Sequence, residues 1–141
     1  MTAPGVERRT RSTSANADTS NRKDIAISFL HQCVAGNVRE AFEQYASPHF
    51  FHHNPFFSGD AAALMAGMEE NAKQNPRKSI EIKHALEERD LVCVHARVRH
   101  KPDELGVALV HIFRFKGGRI AEMWDIGQAV PAKSPNEFGM F

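Results

Sequence analysis

The fold is decided by the run Gly106-Val107-Ala108-Leu109-Val110-His111-Ile112-Phe113-Arg114-Phe115-Lys116-Gly117-Gly118-Arg119-Ile120-Ala121-Glu122-Met123-Trp124-Asp125-Ile126-Gly127-Gln128-Ala129-Val130. Two stretches rich in β-branched and aromatic residues flank Gly117-Gly118, a pair suited to the positive φ angles of a two-residue type I′ turn, so the spacing predicts a tight β-hairpin. The turn sets a register with Lys116 opposite Arg119, Phe115 opposite Ile120, Phe113 opposite Glu122 and His111 opposite Trp124. Strict alternation then places Leu109, His111, Phe113, Phe115, Ile120, Glu122, Trp124, Ile126 and Gln128 on one face. Val110, Ile112, Arg114, Ala121, Met123 and Asp125 fall on the other. A face that mixes large apolar groups with an imidazole, a carboxylate and an amide suits the wall of a half-dry cavity, because polar groups in a sealed core each need a partner. The plainer alternative is that His111 and Glu122 are solvated near an open sheet edge.

Working back from the hairpin, Leu91–Lys101 alternates Val92, Val94, Ala96 and Val98 against Leu91, Cys93, His95, Arg97 and Arg99, the pattern of a strand. Ser79–Glu87 reads as another strand, with Ile80, Ile82, His84 and Leu86 on one side and Glu88-Arg89-Asp90 as the turn that follows. Before it the period is helical. Asn21 is an N-cap with Asp24 in the first turn, followed by Ile25, Phe29, Leu30 and Cys33 at helical spacing until Gly36-Asn37. Val38, Ala41, Phe42 and Tyr45 mark a second short helix ended by Ser47-Pro48, and roughly Ala61–Lys73 a third with Leu64, Met65 and Met68 inward. Between the last two, His49–Phe57 packs four Phe and three His into an extended segment or loop, with Asn54 held out of helix by Pro55. Three helices and four consecutive antiparallel strands predict an α+β domain over residues 22–141, its twisted sheet curling around the helices to leave a hollow. Residues 1–21 contain almost nothing large and apolar and are expected to be a disordered tail.

Composition narrows the function. Eighteen basic residues nearly balance seventeen acidic ones, for a net charge of +1, so nothing favours nucleic acid or an anionic membrane surface. Cys33 and Cys93 have no CxxC spacing and fit buried thiols in a reducing compartment. No apolar run spans a bilayer and no secretory signal is evident, so the expected location is the cytoplasm.

The candidate chemical groups are His52, His53, Asn54, His95, His111, Glu122, Trp124, Asp125 and Gln128. An imidazole with a carboxylate raised toward neutrality suits abstraction of a proton beside a carbonyl, with an amide stabilising the enolate oxygen. In a regular hairpin Asp125 points away from His111; a bulge near Gly127 would re-aim it, and without one Glu122 or Gln128 is better placed. A metal held by His49, His52 and His53 with His95 or His111 is the competing idea, but no spaced ligand motif is present and no metal is expected.

His53-Asn54-Pro55, Val110-His111-Ile112-Phe113-Arg114-Phe115 and Gly118-Arg119-Ile120-Ala121-Glu122-Met123-Trp124-Asp125 resemble the SnoaL-like polyketide cyclases of the nuclear transport factor 2-like superfamily. The Met140-Phe141 ending is similar to the group known as SnoaL-like aldol-condensation proteins. The resemblance, over about residues 24–141, implies a cone-shaped α+β barrel with an internal pocket, commonly a homodimer formed through the sheet. It implies a cofactor-free lyase or isomerase of aldol-condensation or cyclase type, with Asp125 as the catalytic base and His111 as its partner. Some relatives carry the acid at the position of Gln128, so that assignment stays open. His53, Asn54, Phe56, His95, Phe113, Glu122, Trp124 and Gln128 are the expected contacts to a small carbonyl substrate. A non-catalytic dimeric ligand-binding module of the same fold is the alternative.

Overall fold

The computed structural model describes residues 21–141. The tail expected over residues 1–21 lies, but for Asn21, outside them. Helix α1 (Arg22–Val34) begins where the Asn21 side chain accepts from the Asp24 amide at 2.9 Å, and it buries Ala26, Phe29, Leu30 and Cys33. Gly36, with φ of +92°, carries the chain into α2 (Val38–Tyr45), whose Val38, Ala41 and Phe42 are buried. Helix α3 (Ala61–Gln74) is capped by Asp60, which accepts from the Ala63 amide.

The strands are β1 (Ala46–His52), β2 (Ser79–Glu88), β3 (Leu91–Arg99), β4 (Val107–Lys116) and β5 (Arg119–Ala129), joined in one sheet in the order β1-β5-β4-β3-β2. The sheet curls around the helices without closing, since β1 and β2 remain as edges. The α+β fold is as the sequence predicts. What the sequence did not supply is β1, which runs parallel to β5 and pairs Phe51 with Glu122 and His52 with Met123. Pro48 and the absence of Val, Ile or Thr obscure it in the sequence, and pairing with β5 holds it in place.

The core lies between the helices and the concave face of the sheet. Phe29 meets Phe42 edge-on at 5.2 Å and Phe113 at 5.8 Å, and Phe42 in turn meets Phe50 at 5.1 Å. Such crossings add attraction beyond the area buried.

Two irregularities decide which side chains face that core. In β2, Ile82 pairs with Ala96 but His84 already pairs with His95, so Lys83 is an extra residue. Ile80, Ile82 and Ala85 therefore pack inward, while His84 and Leu86, expected on their face, turn outward; Leu86 is 67% exposed. In β5, Phe115 pairs with Ile120 as the turn requires, but Arg114 pairs with Glu122, leaving Ala121 as the extra residue. Beyond it Phe113 faces Met123, Ile112 faces Trp124 and His111 faces Asp125. The expected pairings of Phe113 with Glu122 and His111 with Trp124 are thus corrected by one position. Glu122 and Trp124 move to the convex face, and Met123 and Asp125 take the concave one. The bulge sits near the turn and not at Gly127. There the missing side chain serves packing, since a Cβ would lie 2.7 Å from Leu109 Cδ2.

Candidate functional site

Helices α1 and α3, the loop after β1 and the concave sheet enclose a cavity of about 190 Å³. Its apolar lining comes from Leu30, Leu64, Met68, Ile80, Leu109, Met123 and Phe57. The Phe57 ring lies over Gly67 of α3, where a Cβ would come within 2.3 Å of it. The polar lining is Asp125 from β5, His111 from β4, Asn54 from the loop, Asn71 from α3, Lys78 just before β2 and Cys33 from α1.

Asn54 is fixed from both ends. Its Oδ1 accepts from the Phe56 amide at 2.9 Å, across a turn that Pro55 stiffens. Its Nδ2 donates to Asp125 Oδ2 at 2.8 Å. The other carboxylate oxygen, Asp125 Oδ1, is buried and has no partner among the described residues. His111, register partner of Asp125, stacks on Phe113 at 5.9 Å and leaves its Nδ1 buried without a partner among the described residues. Burial pushes the His111 pKa from 6.5 down to about 4; Asp125 pulls it up and Lys78 adds to the lowering. The ring is therefore neutral at pH 7.

His52, only 5% exposed, is a clamp for this loop. Its Nε2 lies 2.6 Å from the Ser58 carbonyl and its Nδ1 accepts from the Asn54 amide at 3.1 Å, which places the ring proton on Nε2. Lys78 Nζ donates to Asn71 Oδ1 at 2.7 Å. Burial pushes the Cys33 thiol up to about 12, with Lys78 pulling the other way, so Cys33 stays protonated.

Of the residues singled out in the sequence, the cavity gathers His111, Asp125 and Asn54. Phe113 is wholly buried in the core beside it. The rest lie elsewhere. Glu122 and Trp124, re-aimed by the Ala121 bulge, meet His53 on the convex face. His53 Nε2 is 2.7 Å from Glu122 Oε2, and its ring stacks on Trp124 at 4.7 Å. His95, also convex, stacks on His84 and on Phe141. Gln128 is exposed opposite Ala108, and Phe56 is 86% exposed. Among the described residues no group of three or more His, Cys, Asp or Glu side chains is placed to hold a metal ion. Lys78, Asn71, Cys33 and Phe57 are cavity residues that the sequence reading did not assign to the site. Only Asn71 carried a signal, as a polar side chain continuing the Leu64, Met68 stripe of α3.

No helix of the described residues is long and apolar enough to cross a membrane. Among curated proteins, none matches this chain. Three solved structures of similar shape each share less than a quarter of its sequence and speak for the fold alone. AclR from Streptomyces galilaeus, a proposed hydroxylase, is 23% identical with a TM-score of 0.63, over 76% of this chain and 88% of its own. A proposed polyketide cyclase from Bacillus cereus ATCC 10987 is 19% identical with a TM-score of 0.63, over 74% of this chain and 72% of its own. An NTF2-like protein of unknown function from Cytophaga hutchinsonii ATCC 33406 is 17% identical with a TM-score of 0.60, over 74% and 88%. The model of the SnoaL-like domain matches residues 27–123, a span that contains the α3 wall, Lys78, Asn54 and His111 and stops two residues short of Asp125. The chain belongs to the SnoaL-like family.

Proposed function

We propose that the cavity carries out acid/base chemistry on a small carbonyl compound, of the aldol-condensation or isomerase type, using only side chains of this chain. One observation carries the reading: Asp125 has one oxygen held by Asn54 and the other buried without a partner, on the same cavity as a neutral imidazole. In this scheme Asp125 takes the proton from the carbon next to the carbonyl, and the electron pair moves onto the carbonyl oxygen. The neutral His111 ring donates to that oxygen, as a hydrogen bond aimed where charge develops. The carbon then either attacks a second carbonyl, whose oxygen receives the electron pair and takes the proton back from Asp125, or regains that proton from Asp125 at a new position.

The volume supports a small partner. An apolar cavity of about 150 Å³ holds benzene, so this one suits a molecule near the size of one substituted ring. Orientation would come from Asn54 through Asp125, and the dry wall from Phe57, Leu109 and Met123. We further propose that two copies associate through the convex face of the sheet, where Ile126 is 63% exposed. Sedimentation should then give a dimer mass.

The chemistry is tested by proton–deuterium exchange next to the carbonyl of small ketones, followed by NMR. The folded protein should accelerate exchange, and Asp125→Asn should remove about 10²–10⁴ of that acceleration, the usual range for a positioned general base. Binding without any exchange would identify a ligand-holding module.

A further inference from the structure

We propose that Lys78 makes this cavity a receptor for a small organic anion, taking the carboxylate of a keto or hydroxy acid whose other end meets Asp125 and His111. The part played by that other end rests on the acid/base reading above.

Lys78 is a half-buried cation on the cavity lining, and among the described residues no carboxylate pairs with it. The one hydrogen bond that its ammonium makes among the described residues goes to a neutral amide oxygen, Asn71 Oδ1 at 2.7 Å. An ammonium has three donors, so two remain for a ligand. Of the ionisable side chains nearby, Cys33 is held as the neutral thiol and His111 as the neutral ring by burial, and neither offers a balancing charge. Asp125 is the one carboxylate on the cavity lining; its Oδ2 is engaged by Asn54, and it makes no ion pair with Lys78. Removing an ammonium from water without compensation is costly, and burial accordingly holds the Lys78 pKa below its ordinary value. A carboxylate delivers the missing compensation through short charge-assisted hydrogen bonds.

The two charged walls also set direction. An anionic group is drawn to Lys78 and repelled by Asp125, so an acid enters with its carboxylate at the Lys78 end. What Asp125 Oδ1 lacks is a donor or an acidic C–H, which a hydroxyl or a carbon beside a ketone provides. A cavity of about 190 Å³ limits such a ligand to a short chain or one ring.

The test uses the whole chain with acetoacetate and its uncharged analogue acetoacetamide, titrated by ligand-observed NMR. Hydrogen bonds to a charged group contribute about 1.5–3 kcal/mol, so the wild-type protein should bind acetoacetate at least about tenfold more tightly than the amide. In Lys78→Met the two ligands should bind equally, and in Lys78→Arg most of the preference should persist. If Lys78→Met does not melt like wild type, Lys78→Gln takes its place as the neutral variant. Equal binding of both ligands by the wild type, or a preference unchanged in the neutral variant, overturns the proposal; so does binding of neither. Deuterium exchange at C2 of both ligands separates the two readings. Exchange without a carboxylate preference overturns the anion site and leaves the acid/base reading standing. A Lys78-dependent preference without exchange supports the anion site and overturns the acid/base reading.

Discussion

Strand β5 presents two carboxylates three positions apart, each with an imidazole and an aromatic ring nearby, on opposite faces of one sheet. Glu122, on the convex face, is saturated: Oε2 is 2.7 Å from His53 and Oε1 3.0 Å from the Arg114 guanidinium, which is also bound to Asp90. Asp125, on the concave face, is half-satisfied, with one oxygen on Asn54 and the other free of partners. The residue types are nearly the same and the outcomes are opposite. A carboxylate with both oxygens engaged is held in one position. One with a spare buried lone pair has a vacancy that a substrate proton can fill. On the proposed function, what the second oxygen touches separates the carboxylate offered to a substrate from the one that holds a surface together.

The largest effect expected from this contrast is catalytic. Asp125→Asn should abolish most of the exchange, as stated above, whereas Glu122→Gln should leave exchange within about twofold and register instead in the melting temperature. An equal loss of exchange in both variants would break the distinction between the faces.

The next effect compares a packed ring with a free one. Phe29, wholly buried against Phe42 and Phe113, should cost about 3–5 kcal/mol when changed to Ala. Phe56, 86% exposed, should cost under about 0.5 kcal/mol. Urea titrations of the two variants would check both values.

A smaller effect is one of pH. The unfolded chain protonates His111 near 6.5 and the folded chain only near 4, so between these values the unfolded state holds the extra proton. The His111 contribution is then complete above pH 6.5 and falls away down to about pH 4, a loss on the order of 3 kcal/mol. Stability measured by denaturant across that window should slope less in His111→Gln than in wild type.

The smallest change is Gly67→Ala. The helix gains up to about 1 kcal/mol from propensity, but the new Cβ must displace the Phe57 ring that it would meet at 2.3 Å. Stability should move by less than about 1 kcal/mol, while ligand affinity at the cavity should fall, as read by the same NMR titration.

Much of the architecture could be read from the chain. Gly117-Gly118 locates the hairpin and its first two pairs, and the stripe through Phe29, Leu30 and Cys33 locates α1 and its buried side. The errors have a common origin. Alternation is a rule about uninterrupted strands, and neither Ala121 nor Lys83 announces that it is surplus, because a bulge is a property of two paired backbones and not of one residue's chemistry. Every face assignment beyond those two positions was therefore reversed, which exchanged Asp125 for Glu122 and Ala85 for Leu86. Lys78 escaped notice for another reason. A single lysine beside a strand is ordinarily solvated, and only the tertiary placement of α1 and α3 dries it out.

The surplus alanine in β5 acts like a frameshift written in space. Insert or remove one small, chemically inert residue at that point, and the strand trades the whole set of groups it offers to the hollow, with no reactive side chain altered. A relative without that insertion would direct an acid and an indole inward from an almost identical string of letters. Transferring roles between such relatives by aligned position would then credit the wrong carboxylate, so the count of residues between the Gly-Gly tip and the acid carries as much meaning as the acid itself.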